Sequence, residues 1–265
     1  MRFTKAHAYG NDFLYVREDA VTGVAVDRLA RAMCDRHSGV GADGLMLYRP
    51  TARGAAMELL NADGSPSEVS GNGVRGLAAI LLRDTDNDRA EVVIETAAGE
   101  KRVTRTGREG SRQTFIAAMG LPRELRQVDA DVAGERLSLA VMDFGNPQCV
   151  VLGQLPDRGR FERLGPALER HPLFPARTNV EFARVESAAV VRILIWERGV
   201  GPTLSSGTGS CASLIAASAF GGAAREADVV APGGTQRVEW RDDSVYLTGW
   251  AEILVDGTWL RSDNV

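Results

Sequence analysis

Hydrophobic and polar positions alternate along this chain in short runs, and four stretches carry the wider spacing of a helix. Residues 3–16 read as strand, interrupted by the turn chemistry of Gly10-Asn11-Asp12. Residues 26–35 read as a helix with Leu29, Met33 and neighbouring alanines on one face. A glycine-rich loop (37–43) follows, then apolar runs at 44–48 and 56–60 that read as strands, and the turn signature Asn61-Ala62-Asp63-Gly64. A second helix is expected over 72–83, a hairpin over 91–96 and 101–106, and a strand at 114–118. Further on, 137–144 and 149–152 flank Gly145-Asn146-Pro147-Gln148. Residues 161–171 carry a helical pattern ended by Pro172, 179–185 and 190–196 read as strands, and 207–220 as the fourth helix. Short strands are expected at 237–240, 244–247 and 252–255.

Two of these helices follow matching glycine loops. Ser70-Gly71-Asn72-Gly73 leads into one, and Ser206-Gly207-Thr208-Gly209, 136 positions later, leads into the other. Glycine lets a ligand approach the backbone, and a helix N-terminus presents unpaired N–H groups that suit a carboxylate. The repeat extends further. Gly10-Asn11 recurs as Gly145-Asn146, the strand Met57, Leu59, Asn61 as Ile193, Ile195, Glu197, and Gly99–Val103 as Gly234–Val238, in the same order and nearly the same register. The chain therefore reads as two similar lobes, residues 1–118 and 119–265, with a site expected in the cleft between them.

Composition narrows the class. The chain has 265 residues, 44% hydrophobic and 25% charged, with a net charge of −4. That is globular composition, without the basic footprint of a nucleic-acid binder. No apolar run approaches the length of a membrane span, and Met1–Lys5 lacks the apolar region of a signal peptide. Three scattered cysteines, Cys34, Cys149 and Cys211, suit neither a disulfide framework nor a metal cluster. These features lead to the expectation of a reduced, cytoplasmic protein with no nucleic-acid or membrane partner. Cys211, five residues after Ser206, reads better as a buried packing residue than as a nucleophile.

Nine motifs in order resemble the diaminopimelate epimerase family: Gly10–Phe13, Gly39–Gly44, Asn61–Ser65, Gly71–Arg75, Gly145–Pro147, Asn179–Phe182, Glu197–Gly201, Gly207–Gly209 and Pro232–Gly234. The resemblance runs from residue 3 to about residue 255. It implies an α/β (α+β) fold of two pseudo-symmetric lobes, each a β-barrel-like sheet around a central helix. It also implies a cofactor-independent amino-acid epimerase, converting LL- to meso-diaminopimelate in lysine biosynthesis, with no metal and commonly homodimeric. Carried over by position, Asn11, Asn61, Asn146, Asn179, Glu197 and Arg198 would hold the substrate's polar groups, and the backbone of Gly71-Asn72 and Gly207-Thr208 would cradle its α-carboxylate.

The family uses two cysteines, one before each glycine loop, as the acid and base on opposite faces of the α-carbon. Here both positions are serine, Ser70 and Ser206, and the family histidine after Gly-Asn-Pro is Gln148. A serine normally needs an adjacent base. Glu197 is the carboxylate expected near Ser206 and is counted with the two serines as catalytic. Three readings stay open at this stage. The chain is an epimerase with a modified acid–base arrangement, a silent amino-acid-binding paralogue, or an isomerase that uses a carboxylate in place of the thiols. Trp250 stands where the family usually has proline.

Overall fold

The computed structural model describes residues 1–67, 70–97 and 99–260. In chain order, β1 (Arg2–Ala8) and β2 (Asn11–Arg17) precede α1 (Val26–Cys34). β3 (Gly44–Thr51), β4 (Gly54–Asn61) and the short β5 (Pro66–Ser67) lead to α2 (Gly71–Leu81), followed by β6 (Glu91–Thr96), β7 (Gly99–Glu109) and β8 (Arg112–Ala118). The second half repeats the plan. β9 (Arg123–Val132), β10 (Glu135–Asp143) and β11 (Pro147–Leu152) precede α3 (Arg158–Glu169). β12 (Asn179–Ser187), β13 (Val190–Glu197) and β14 (Gly201–Thr203) lead to α4 (Gly207–Phe220), then β15 (Glu226–Ala231), β16 (Gly234–Trp240) and β17 (Val245–Thr258).

The chain divides into two units. Met1–Ala117 and the chain from Gly249 onward form the first, and Ala118–Thr248 the second. The tail that the sequence reading places in the second lobe thus lies in the first from Gly249 on. The reason is pairing between the chain's ends: β17 runs antiparallel to β1, with Arg2 opposite Thr258 and His7 opposite Glu252.

In the first unit the strands form a closed ring, β1–β2–β3–β4–β6–β7–β8–β17 and back to β1. Two of its pairings are parallel, Phe13 opposite Gly44 and Gly54 opposite Val93. α2 packs against β1, β2, β6 and β7 and is buried from Asn72 to Ile80. Because it is buried on most sides, small and aliphatic residues fill it beyond the polar Asn72 and Arg75 near its start. α1 covers the other face of the sheet, setting Leu29, Ala30 and Met33 against Leu14, Leu45 and Leu60. Strands with a helix on each face read as near-continuous apolar runs, as in Phe13–Val16.

The second unit has the same plan. Its ring runs β9–β10–β11–β12–β13–β15–β16–β17, and Met119 and Gly120 exchange backbone bonds of 2.8 and 2.9 Å with Val245 to close it. The parallel pairings recur as Gln148 opposite Asn179 and Val190 opposite Asp228. α4 packs Leu214 and Ile215 among Val150, Ile193, Ile195, Val229, Val238 and Leu247. α3 covers the outer face through Leu164 and Leu168. The repeat read from the sequence is therefore a repeat of topology, with a barrel-like sheet around one helix in each unit.

Four strands escape the sequence reading, the very short β5 and β14 among them. β9 (RELRQVDADV) is too polar to register as apolar alternation, and β15 is short. β17 is one strand of 14 residues, not two short ones. The interior Gly249 that suggests a break is needed for close approach: a Cβ there would stand 3.0 Å from Tyr9 Oη and 3.2 Å from Arg75 Cζ. The adjacent Trp250 packs its ring 4.5 Å from that of Tyr9, and Arg112 lies 4.2 Å above it.

One buried charge ties the first ring to the loop after α2. Arg105, fully buried in β7, donates to the carbonyls of Leu82 (3.0 Å), Thr85 (2.6 Å) and Asn87 (2.5 Å) and to Gln113 Oε1 (3.1 Å). Removing such a donor leaves several buried acceptors unsatisfied. Arg105→Ala is expected to lower unfolding free energy by about 3 kcal/mol, read as a drop in the urea midpoint with unchanged m-value.

Candidate active site

Each of the two glycine loops is a capped helix start. Ser70 and Ser206 are extended N-cap residues whose Oγ atoms accept from the amides of Gly73 (3.2 Å) and Gly209 (3.1 Å). The cap satisfies one orphan donor and leaves the amides of the first two helical residues, Gly71 and Asn72 or Gly207 and Thr208, without an intrahelical partner. The third residue of each helix sits close against a side chain of a neighbouring strand, which would have to shift for anything larger than glycine. A Cβ on Gly73 would lie 1.7 Å from Met46 Cε, and one on Gly209 would lie 2.5 Å from Glu181 Oε1.

In the first unit the structure brings Asn11 and Asn72 together: Asn72 Nδ2 donates to Asn11 Oδ1 at 3.2 Å. Asn11 Nδ2 in turn donates to Asp43 Oδ2 (2.7 Å), and Arg75 donates to Asn72 Oδ1. Asp43 also accepts the Asp12 amide (3.1 Å), so it fixes the turn that presents Asn11. Arg36 bridges Asp43 (2.8 Å) and Asp12 (2.7 Å), and Lys5 lies 2.8 Å from Asp12. Burial works against the Asp12 charge, but hydrogen bonds from Arg36 and Lys5 outweigh it and hold the carboxyl below its ordinary range. Asn61 ends β4 opposite Gly44, with its amide on Ser65 Oγ at 3.0 Å.

The second unit repeats the arrangement with different side chains. Asn146 and Thr208 take the places of Asn11 and Asn72, with Asn146 Nδ2 3.5 Å from Thr208 Oγ1. Gln148 is fully buried and donates to Asn146 Oδ1 (2.8 Å) and Thr208 Oγ1 (3.2 Å). Its amide organises these two residues and cannot carry a proton as the imidazole at this position could. Asn179 accepts the Arg198 amide on its Oδ1 at 2.9 Å, and its Nδ2 lies 3.4 Å from the Pro147 carbonyl. Glu197 ends β13 opposite Gly201.

A residue that sequence reasoning missed secures this corner. Glu169, at the end of α3 and 2% exposed, accepts from the Gly199 amide (3.0 Å) and from Trp196 Nε1 (2.9 Å), bracketing Glu197 and Arg198. Its one signal in the sequence is a charge at the end of an amphipathic helix, which resembles many solvated charges. A second missed residue is Glu181, buried on β12 behind Gly209. Burial pushes its carboxyl well above the usual range, and the charge of Glu197 adds to the effect. All three cysteines are buried, and burial pushes the Cys34 thiol up to about 12. Cys211 packs in the core around α4, as expected. No helix among the described residues is long and apolar enough to cross a membrane.

The arrangement offers two helix N-termini for carboxylate binding, amide side chains beside each, and a hydroxyl at each cap. Comparison with known proteins identifies the family. A family model described as diaminopimelate epimerase matches residues 3–123 and 140–254. The diaminopimelate epimerase of Desulforudis audaxviator is 42% identical over 99% of this chain and all of its own length. That of Desulfitobacterium hafniense is 36% identical over 98% of this chain and 99% of its own. Among solved structures, a hydroxyproline epimerase from Agrobacterium vitis shares the fold, with a TM-score of 0.68 at 19% identity over 97% of this chain and 91% of that one.

The Asp12 cluster sets an acid limit on stability. A carboxyl with a lowered folded pKa contributes fully above its unfolded value, about 3.9, and loses that contribution as pH falls through the lower folded value. Asp12→Asn is expected to cost about 1–2 kcal/mol at pH 7 and close to nothing at pH 2, measured by urea unfolding at both pH values.

Proposed function

Because the chain belongs to the diaminopimelate epimerase family, we propose that it inverts the α-carbon of diaminopimelate between the LL and meso forms, without a cofactor, in lysine biosynthesis. The observation that carries this reading is the matched pair of serine-capped helix starts, each beside an amide pair, Asn11–Asn72 and Asn146–Thr208. On this reading the free amides of Gly71-Asn72 and Gly207-Thr208 hold the α-carboxylate, where negative charge grows as the α-proton leaves. Asn61, Asn179, Glu197 and Arg198 grip the remaining polar groups. The cytoplasm and the homodimer common in the family are the setting in which we place it.

Inversion needs a proton acceptor on one face of the α-carbon and a donor on the other. By their positions in the family's pattern, Ser70 and Ser206 would supply these two groups. A hydroxyl ionises far less readily than a thiol, so it relies on a neighbouring group to take or return its proton. The cap geometry helps, since the Gly73 and Gly209 amides donate to Oγ and the helix dipole favours negative charge there.

The test is solvent exchange. Protein incubated with LL-diaminopimelate in D2O is expected to place deuterium at the α-carbon and to produce the meso form. Exchange no faster than a no-protein control would overturn the reading, and ligand binding without exchange would identify a silent amino-acid-binding module. Ser70→Cys, Ser206→Cys and Gln148→His combined are expected to raise the exchange rate on the order of a hundredfold, because they restore thiols with an imidazole helper.

A further inference from the structure

Glu181 is hard to explain as packing. It is 0% exposed, and among the described residues neither carboxyl oxygen meets a hydrogen-bond donor. Its neighbours Val180 and Phe182 face α3, while its own side chain faces the first turn of α4. A Cβ on Gly209 would stand 2.5 Å from Glu181 Oε1 and 3.0 Å from Ser206 Oγ, so the two oxygens converge on one point at the helix start.

The repeat supplies a control for this position. In the parallel pair β2–β3, Tyr15 lies opposite Met46; in β11–β12, Val150 lies opposite Glu181. Each pair stands two residues beyond the matched pairs Phe13–Gly44 and Gln148–Asn179, so Met46 and Glu181 are equivalent. Both side chains press on the third residue of their helix, Met46 on Gly73 and Glu181 on Gly209. The slot accepts an unbranched apolar side chain in one unit. In the other it holds a carboxyl whose burial without a partner is costly.

We propose that Glu181 is the proton reservoir for Ser206, a positioning residue that returns a proton to Ser206 Oγ as Ser206 gives its own to the substrate. This inference rests on the epimerase reading above. In the delivery direction the electron pair on the α-carbon takes the Ser206 hydroxyl hydrogen. The electron pair left on Oγ takes the Glu181 carboxyl hydrogen, and Glu181 becomes the carboxylate. In the removal direction each transfer reverses. The negative charge passes between carbon and Glu181, and no serine alkoxide accumulates. For the transfer, on this proposal, Ser206 Oγ turns from the Gly209 amide toward Glu181.

The surroundings disfavour the ionised form of the acid. α4 and β11 carry no charged residue and contribute the buried Cys211 and Cys149. β13 contributes Glu197, whose charge opposes ionisation of Glu181, and Arg192, which is engaged with Glu186 at 2.7 Å. The thiol of Cys149 is itself pushed up by burial and by Glu181. The equivalent slot behind Ser70 holds a thioether, so the two serines differ in what stands behind them.

Glu181→Gln and Glu181→Met in the full-length protein test the proposal, the second because Met46 shows that the slot accepts methionine. Both are expected to fold and to lower the α-proton exchange rate of diaminopimelate in D2O at least tenfold, with KM changed less than about twofold. The wild-type rate is expected to fall at alkaline pH as Glu181 loses its proton, and that limb is expected to vanish in Glu181→Gln. A carboxyl with a raised folded pKa contributes stability fully below its unfolded value, about 4.3, and loses it as pH rises through the folded value. Wild type should therefore lose stability relative to Glu181→Gln as pH rises above 5. Without any variant, the infrared spectrum at pH 7 should contain the carbonyl band of a protonated carboxylic acid. Absence of that band, parallel stability curves, or variants with the wild-type rate and pH profile would each overturn the proposal. An active wild type with unaffected variants removes this inference alone; an inert wild type removes the epimerase reading and this inference with it.

Discussion

The hydrogen bond from the third helical amide to a serine oxygen, Gly73 to Ser70 and Gly209 to Ser206, fixes much of what surrounds it. It sets where α2 and α4 begin, and therefore which two amides of each helix point outward. It brings the third residue against a side chain of a neighbouring strand, Met46 on Gly73 and Glu181 on Gly209. It also assigns work to the serine oxygen: a lone pair is occupied by the amide while the hydroxyl hydrogen stays free to be given. A cap of this kind favours serine as a proton donor, with the oxygen stabilised as charge develops on it. Cysteine caps a helix poorly, so two serines here strengthen the helix starts while making the chemistry more dependent on their neighbours.

The two units share a backbone plan and differ in what they place on it. Met46 answers to Glu181, Asn61 to Glu197, Asn72 to Thr208 and Phe13 to Gln148. The first unit offers neutral amides and an apolar slot; the second carries two carboxyl groups that raise each other's cost of ionisation. Inversion at carbon is a symmetric task, yet the means of performing it here are unequal. Equal backbones with unequal side chains are what a repeat yields once one copy no longer constrains the other.

Much of this plan was legible in the sequence because both central helices are apolar all round and each follows a glycine loop. The paired motifs Gly10-Asn11 and Gly145-Asn146 located the amide pairs in the same way. What was not legible depended on distant partners. β9 is polar on most positions and is recognisable mainly from its pairing with β10. Arg105 reads as an exposed strand cation until the carbonyls of Leu82, Thr85 and Asn87 are seen around it. Glu169 and Glu181 read as ordinary acids because a sequence records charge and not burial. The division at residue 118 rested on the repeat, and the repeat is silent about which ring the last strand joins.

That last strand bears on how the protein is made. Val245–Thr248 belong to one ring and the rest of β17 to the other. The ring built mostly from the first 117 residues receives its final stave from the far end of the chain. Domains generally fold in the order in which the ribosome releases them, and here the first unit needs a segment that follows the whole of the second. The second ring has all its strands by Thr248, while the first still lacks Gly249–Thr258 at that point of the chain. Without Gly249–Thr258 the edges of β1 and β8 have no strand between them, and open edges of that kind invite pairing with another chain.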